Sequence, residues 1–233
     1  MEPLASGQIE VQRARIVDLL PLSWNTSLTL SRGKSPRNAW QKRLQAAITL
    51  PILVLLFLMY MPSGDVITSS SRDAVILLTE ARSTKKTLQR FGSMVLVFLA
   101  SLFAFMIWLF SLTLLGDTIV PWVGLLPPLW LVVGLVLLAT STGGSLSALS
   151  QALILVRPPG PYWVAQALAS APGARMSGLE FARTAIEDFV PAAVPVVVTA
   201  ASERIAVVYE RFGFVRQKPG GLNLIGRSPA HHL

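Results

Sequence analysis

The chain contains no cysteine and only two histidines among its 233 residues. Without cysteine there can be no disulfide and no thiolate metal site, although this says nothing decisive about the cellular compartment. Both histidines, His231 and His232, fall in the last three residues, where solvated tail residues are a better interpretation than metal ligands. We therefore predict no bound metal.

Charged residues are also scarce. They make up 14% of the chain, against 52% hydrophobic residues, whereas a soluble domain carries about 25% charged residues. This composition predicts a membrane protein with room for one modest soluble domain. The net charge of +8 is typical of topology signals and contact with anionic membrane lipid. We expect no nucleic-acid partner, because the polar, basic N-terminal segment (residues 1–45) lacks aromatics interleaved with its cations.

Three apolar runs account for the hydrophobic excess: residues 46–61, 94–115 and 120–139. The second run is long enough to cross a bilayer of about 30 Å, whereas the first is short and contains Pro51. None of the runs contains a charged residue, which argues against an ion path or proton relay, because these need ionisable groups within the membrane. We predict a membrane region, residues 46–140, with two or three spans that serve as anchor and scaffold.

Positive charges beside these runs predict their orientation. The turn Gly116-Asp117-Thr118 has no lysine or arginine and is expected outside, whereas the flank before the second run is basic and is expected in the cytoplasm. The third run then delivers the C-terminal domain to the cytoplasm. Three full spans would put the basic N-terminus outside, so either residues 46–61 are re-entrant or interfacial, or one flank breaks the rule. The cations of the inner flank are Arg82, Lys85, Lys86 and Arg90.

The connector between the first two runs, residues 62–91, mixes apolar and charged residues. From Arg72 to Gln89 the pattern predicts a cytoplasmic amphipathic helix, with Ser69-Ser70-Ser71 as its cap. Two positions suit such a helix, one on the membrane surface and the other over the C-terminal domain.

The C-terminal part, residues 141–233, has the pattern of a small α/β domain. Leu149–Val156 and Tyr162–Ala169 predict a hairpin through their turn chemistry. The basic turn Gly173–Gly178 precedes a predicted helix and leaves backbone N–H groups unpaired, which suits a bound phosphate, although an ordinary βαβ unit without a ligand has the same shape. The remaining pattern predicts a helix, a valine-rich strand, a second helix and a last hairpin, at residues 179–189, 194–201, 203–211 and 215–225.

Three short stretches of this part resemble known sequence motifs: Leu168-Ala169-Ser170-Ala171-Pro172, Arg175-Met176-Ser177-Gly178-Leu179-Glu180, and Ser202–Phe214, which ends in Tyr-Glu-Arg-Phe-Gly-Phe. They resemble the end of the fourth strand, the pyrophosphate loop (Q/R-x-x-G-x-G/A) and the later signature (N-x-x-A-x-x-L-Y-E-x-x-G-F) of the GNAT-type N-acetyltransferase superfamily. The resemblance covers residues 151–227. Glu180 and Ser202 depart from it, since the family has a small residue and an asparagine there.

The resemblance implies a GNAT-like α/β fold, acetyl-CoA as co-substrate and transfer of its acetyl group to an amine acceptor. It places the pantetheine arm along the strand that contains Ala169, and it makes Tyr209 the acid that protonates the CoA thiolate. No general base is indicated; Glu180, Glu187 and Glu203 are candidates by residue type alone. The implied pyrophosphate site comprises Arg175, Met176, Ser177, Gly178 and Leu179.

Two hypotheses follow for a chain with an α-helical transmembrane region and a small C-terminal GNAT-like domain. The first is a membrane-anchored N-acyltransferase that uses acyl-CoA and acts at the cytoplasmic membrane surface. The second is a non-catalytic scaffold or assembly subunit that binds a membrane-protein partner. Glu180, Ser202 and the short soluble length before the motifs favour the second, since a whole GNAT domain also needs an opening strand and two helices. The intact Tyr209–Phe214 string favours the first.

Overall fold

The computed structural model describes residues 10–30, 38–113, 123–141, 157–171, 173–174, 176–200 and 202–228. The strands in this part of the chain are β1 (Val11–Arg13), β2 (Val66–Ser69), β3 (Ala74–Ala81), β4 (Tyr162–Ser170), β5 (Pro195–Thr199), β6 (Val215–Arg216) and β7 (Asn223–Arg227). The helices are α1 (Leu19–Leu30), α2 (Ala39–Tyr60), α3 (Thr84–Thr113), α4 (Leu126–Ser141), α5 (Gly178–Phe189) and α6 (Glu203–Arg211). A 3₁₀ turn, Ile16–Asp18, leads into α1.

The described strands form one mixed sheet in the order β1-β2-β3-β4-β5-β7-β6. β4 and β5 are parallel and are connected through α5, whereas the other neighbouring strands are antiparallel. Helices cover both faces. Val75 of β3 packs in one cluster with Phe57 of α2, and Ile76 packs in another with Phe181 of α5. Since successive side chains of a strand point to opposite faces, α2 and α5 lie on opposite sides of the sheet.

The predicted amphipathic helix over Arg72–Gln89 is wrong for most of its length. Residues 74–81 form β3, and Arg72 lies in the preceding turn with a φ of 60°. The run Ala-Val-Ile-Leu-Leu that opens β3 has no polar face, and all five residues are buried. A short continuous apolar run of this kind suits a strand covered on both faces. Helix begins only at Thr84, which starts α3.

The sheet also extends beyond residues 141–233, because β1, β2 and β3 come from the N-terminal part. The N-terminal part also contributes one short strand, β1, and two helices, α1 and α2. The apolar composition of α2 concealed its role. Phe57 of α2 packs in the cluster that covers one face of the sheet. Four residues along α2 are buried at helical spacing: Ala46, Thr49, Leu53 and Phe57.

The predicted elements of the C-terminal part are confirmed where the structure describes them. β4, α5, β5, α6 and the β6–β7 hairpin all lie where the pattern predicted them. The predicted hairpin between Leu149–Val156 and β4 is wrong, because β3 pairs with one edge of β4 and β5 pairs with the other edge at Trp163–Ala165. The strand predicted at Leu149–Val156 lies outside the described residues.

Two described helices, α2 and α3, are long and apolar enough to cross a membrane, judged by length and composition only. They differ in surroundings. α2 shares its buried face with the sheet, whereas α3 has 30 residues of which Leu112 alone is buried. α3 is about 45 Å long at 1.5 Å per residue. α4 is apolar but shorter.

The chain segment between β3 and β4, which contains α3 and α4 and is called the excursion below, leaves the sheet and returns to it at neighbouring positions. Ala81 at the end of β3 pairs with Tyr162 at the start of β4. α4 also contacts α2 closely. The indole Nε1–H of Trp130 donates to the carbonyl oxygen of Ile48 at 3.1 Å, and a Cβ on Gly134 would lie 2.8 Å from that oxygen. α2 therefore lies between the sheet and α4.

A buried ion pair fixes the start of α3 to the domain. Nε of Arg90 lies 2.6 Å from Oδ2 of Asp65, whose side chain is 1% exposed. Ser63 donates its hydroxyl to the same carboxylate oxygen, and Arg90 also donates to the carbonyl oxygen of Glu80 at 3.3 Å. Lys86 adds an ion pair to Glu80 at 3.0 Å. The first turns of α3 are thus held against the loop between α2 and β2 and against the end of β3.

We expect Arg90→Ala to lower the free energy of unfolding by about 3–5 kcal/mol, because it leaves the Asp65 carboxylate buried without its cation. Thermal or denaturant unfolding of the detergent-solubilised protein measures the effect. Arg183→Ala is the matched control, since it removes an ion pair whose arginine is 66% exposed and should change stability little. Equal effects of the two substitutions would contradict the anchoring role of Arg90.

Candidate functional site

The candidate site is the place where β4 and β5 separate. The two strands pair only from Trp163–Ala165 to Val196–Val198, although β4 continues to Ser170. A bulge bends β4 at this point: its register with β3 shifts between Val75 and Leu77, and Ala167 has a φ of 53°. Bulges of this kind bend a strand and redirect its side chains. Beyond Ala165, the edge of β4 that faces β5 has no strand partner in the described part of the chain.

This separation opens a cleft of about 960 Å³, which is large enough for a cofactor-sized ligand. Its walls come from both sides of the sheet. Thr29 and Leu30 at the end of α1 line it, and so do Leu179 of α5 and Val208 and Tyr209 of α6. The cleft therefore passes through the sheet, and two molecules could meet in it from opposite faces.

The charges along the cleft are of one sign. Arg183, Arg211 and Arg227 line it, and the lining residues that the structure describes include no aspartate or glutamate. Most of the other lining residues are apolar or small. A cleft with these walls favours a ligand that combines an apolar or amide-containing part with an anionic group.

The start of α5, the predicted pyrophosphate site, is capped by the protein itself. The backbone N–H of Ser177 donates to Oε2 of Glu180 at 3.0 Å, and the N–H of Glu180 donates to Oγ of Ser177 at 3.3 Å. This is a capping box. Hydrogen bonding of the Glu180 carboxylate with the Ser177 side chain, and then with the Ser177 backbone N–H, lowers the pKa of Glu180, so its carboxylate is ionised at neutral pH. The sequence predicted a free N–H at Ser177. While this cap is closed, that N–H is bonded to Glu180 and is not free.

The other predicted cofactor residues fall into three groups. Gly178 and Leu179 line the cleft, and their N–H groups have no acceptor among the described residues. Ala169 also lines the cleft and is 6% exposed. Met176 instead packs against the core and is absent from the described lining, while Arg175 lies outside the described residues.

Tyr209 lies in the wall of the cleft. Its ring centroid is 5.9 Å from that of Phe214, another lining residue. Burial raises the pKa of the Tyr209 phenol above its ordinary value of 10.0. The hydroxyl therefore keeps its proton well above neutral pH and is available as a proton donor.

Arg216 holds α6, and with it Tyr209, against the β6–β7 hairpin. Its guanidinium contacts Glu203 at 2.6 and 2.8 Å and Glu210 at 2.6 Å, so one side chain binds the first and last turns of α6. Arg216 lowers the pKa of Glu203 through this hydrogen bonding. The sequence analysis missed Arg216; the only signal was its place two residues after the Tyr-Glu-Arg-Phe-Gly-Phe string.

Gly226 is a second residue that the sequence analysis missed. It lies on β7, and a Cβ there would come within 2.8 Å of the Phe214 ring. Only glycine leaves that ring room to pack as it does beside Tyr209. A lone glycine in a strand pattern is the available signal, since it often marks a close approach.

None of the three carboxylates considered as bases faces the cleft. Glu180 caps α5, Glu187 pairs with Arg183 at 2.7 Å, and Glu203 pairs with Arg216 at 2.6 Å. The described residues also contain no group of three or more histidine, cysteine, aspartate or glutamate side chains that could hold a metal.

We expect the Glu180 cap to make stability depend on pH. Because the native pKa of Glu180 lies below 4.5, the ionised cap stabilises the fold above that pH and loses its effect as the pH falls through the native pKa. Unfolding measured at pH 7 and at more acidic values gives the stability difference between the native chain and Glu180→Ala. We expect this difference to shrink towards zero as the pH falls. Asp188→Ala, an exposed carboxylate on the same helix, is the control, and a Glu180 difference that does not vary with pH would contradict the cap.

Comparisons with known proteins do not assign this site to a family. No protein-family model matches the chain, and no curated protein matches it. The function is therefore inferred from the geometry of the cleft together with the motif strings.

Proposed function

We propose that the protein is a membrane-anchored, acyl-CoA-dependent N-acyltransferase that moves an acetyl group from acetyl-CoA to an amine near the cytoplasmic membrane surface. One observation supports this more than any other: β4 and β5 separate after three residue pairs, and Tyr209 lies in the wall of the cleft between them.

The strand and helix order supports the GNAT resemblance beyond the part where the motifs lie. The resemblance requires an opening strand and two helices, and β1, α1 and α2 occupy those places. The α3–α4 excursion then stands as an insertion between β3 and β4. This order of elements supports a GNAT-like fold only. The proposed activity depends on the cleft.

The free edge of β4 suits the pantetheine arm of CoA. A strand edge without a partner offers N–H and C=O groups to an extended ligand, and pantetheine contains two amide groups that can pair with them. The CoA phosphates would lie near the start of α5, where the N–H groups of Gly178 and Leu179 are available and Arg175 precedes them. The cationic lining supports an anionic ligand of this kind.

The proposed reaction is direct transfer. The lone pair of a neutral amine attacks the thioester carbonyl carbon, the C–N bond forms, and the C–S bond breaks. The phenol of Tyr209 gives its proton to the departing thiolate. Since no carboxylate lines the described part of the cleft, the extra proton of the amine passes to solvent, and a proton from solvent restores Tyr209.

The attachment to the membrane is assigned to α3 and α4. Because Ala81 and Tyr162 are paired, both ends of the excursion lie on one side, which matches two crossings rather than three. α2 then stays with the domain as one of its covering helices, in agreement with the re-entrant or interfacial alternative for residues 46–61. The basic flank before the second run indicates that this side is the cytoplasm.

The second candidate function is a non-catalytic scaffold or assembly subunit that binds a membrane-protein partner. The Ser177–Glu180 capping box favours it, because an ionised carboxylate at the start of α5 repels a diphosphate. Acetyl-CoA binding requires this cap to open, or the phosphates to bind Gly178 and Leu179 alone. Direct measurement of cofactor binding separates the two functions.

We expect acetyl-CoA to bind the detergent-solubilised protein saturably in calorimetry, and Arg175→Glu to abolish that binding. Arg204→Glu makes the same charge change at an exposed position of α6 outside the cleft lining, and it should leave binding intact. No heat of binding at millimolar acetyl-CoA would remove the acyltransferase proposal and leave the scaffold.

We further expect Tyr209→Phe to slow turnover by about 10²- to 10⁴-fold, the usual contribution of a positioned acid, without weakening acetyl-CoA binding. Released CoA can be followed with a thiol reagent across a panel of primary amines, and the cysteine-free chain gives no background. Tyr162→Phe is the matched control, since Tyr162 is buried at the start of β4 and is not among the lining residues. Unchanged turnover in Tyr209→Phe would exclude Tyr209 as the acid.

For topology, we expect tags at Gly116 and at Leu233 to report opposite sides of the membrane, because Gly116 falls between the two proposed crossings. Protease protection of tagged protein in sealed vesicles measures this. Accessibility of both tags from the same side would contradict the proposed orientation.

A further inference from the structure

Three apolar side chains near the start of α1 face outward. Ile16, Val17 and Leu20 are 71%, 68% and 64% exposed, respectively. Their neighbours point the other way, since Leu22 is 1% exposed and Leu19 packs against the core. We call Ile16, Val17 and Leu20 the apolar tip. Contiguous exposed apolar side chains of this kind mark interaction surfaces.

The apolar tip is held rigidly. Asp18, inside the turn, is 2% exposed; its Oδ2 accepts the N–H of Arg15 at 2.8 Å, and its Oδ1 pairs with Arg72 at 2.6 Å. The N–H of Ala14 donates to the carbonyl oxygen of Val66 on β2 at 2.8 Å. The exposure is therefore a property of the folded domain, since a sheet strand and a buried ion pair fix this turn.

The apolar tip lies at the end of the domain from which α3 departs. Leu19 packs in the same cluster as Tyr60 and Met61 at the end of α2. Four residues after Met61, Asp65 binds Arg90 in the first turns of α3. The side chain of Arg13 also passes over Gly64, within 3.4 Å of the place where a Cβ would stand. The tip and the start of α3 thus share one edge of the molecule.

Cations surround this edge. Arg15, next to the apolar tip, is exposed, as are Arg82 just before α3 and Lys85 in its first turn. Glu10 is the exposed carboxylate near β1, and the carboxylates of Asp18 and Asp65 are engaged in ion pairs. Apolar side chains flanked by lysine and arginine are typical of surfaces that insert shallowly into an anionic membrane interface.

We propose that the apolar tip is a second membrane contact, inserted into the headgroup and upper acyl region of the cytoplasmic leaflet beside α3. This inference rests on the proposed membrane attachment through α3 and α4. The occupant is lipid, because cations border the apolar tip and because the first turns of α3 also expose apolar side chains, with Leu88 and Phe91 70% and 61% exposed. Together, the two proposed crossings and the tip set the tilt of the domain on the bilayer.

The test uses single-cysteine labelling, which is clean because the chain has no cysteine. Val17→Cys, Val215→Cys and Phe98→Cys carry an environment-sensitive fluorophore in the full chain, reconstituted into nanodiscs of phosphatidylcholine and phosphatidylglycerol, with and without shallow spin-labelled lipid. Val215 is the matched control: it is a valine, 66% exposed, on β6 at the opposite edge of the sheet from β1. Phe98, 66% exposed on α3, reports the span.

We expect spin-labelled lipid to quench the Val17 and Phe98 labels and to leave the Val215 label unquenched, with blue-shifted emission at Val17. Quenching at Phe98 without quenching at Val17 would overturn the second contact while leaving the membrane attachment intact, whether the Val17 label is then in water or shielded by a protein partner. Loss of quenching at both Phe98 and Val17 would instead overturn the attachment itself.

Discussion

The separation of β4 from β5 is the constraint on which the rest of the candidate site depends. Two parallel strands that stayed paired to their ends would close the sheet and leave no cleft. Here the pairing stops after Val198, because the bulge at Ala167 bends β4 towards β3, its partner up to Ser170. The free edge of β4, the start of α5 and Tyr209 of α6 meet in the space that this bend opens.

The same sheet also links the site to the apolar helices. α3 and α4 are inserted between two strands that are directly paired, so the excursion adds a large apolar surface without interrupting the sheet. α2 contacts both parts, with Phe57 in the domain core and Ile48 against Trp130 and Gly134 of α4. The buried pair of Asp65 and Arg90 completes the connection.

The capping box at the start of α5 is the feature that divides the two proposed functions. Ser177 and Glu180 satisfy two backbone N–H groups of the first turn, which is the stabilising arrangement for a helix that binds nothing there. Gly178 and Leu179 line the cleft, and its described lining contains cations but no aspartate or glutamate. The free energy of the closed cap opposes the free energy of binding an anion at the start of α5. Their difference decides whether the cleft binds a cofactor.

Elements with local signals could be predicted from the amino-acid sequence: the valine-rich β5, the two amphipathic helices α5 and α6, and the apolar character of α3. The sequence also indicated Tyr209 and the turn before Gly178. Only the tertiary structure decided that the connector contains β3 and that α2 covers the sheet. An apolar run buried on both faces of a sheet has no polar periodicity, and a covering helix rich in leucine has the composition of a span. The roles of Arg216 and Gly226 were equally a matter of tertiary structure, because each depends on distant groups that the fold brings into contact.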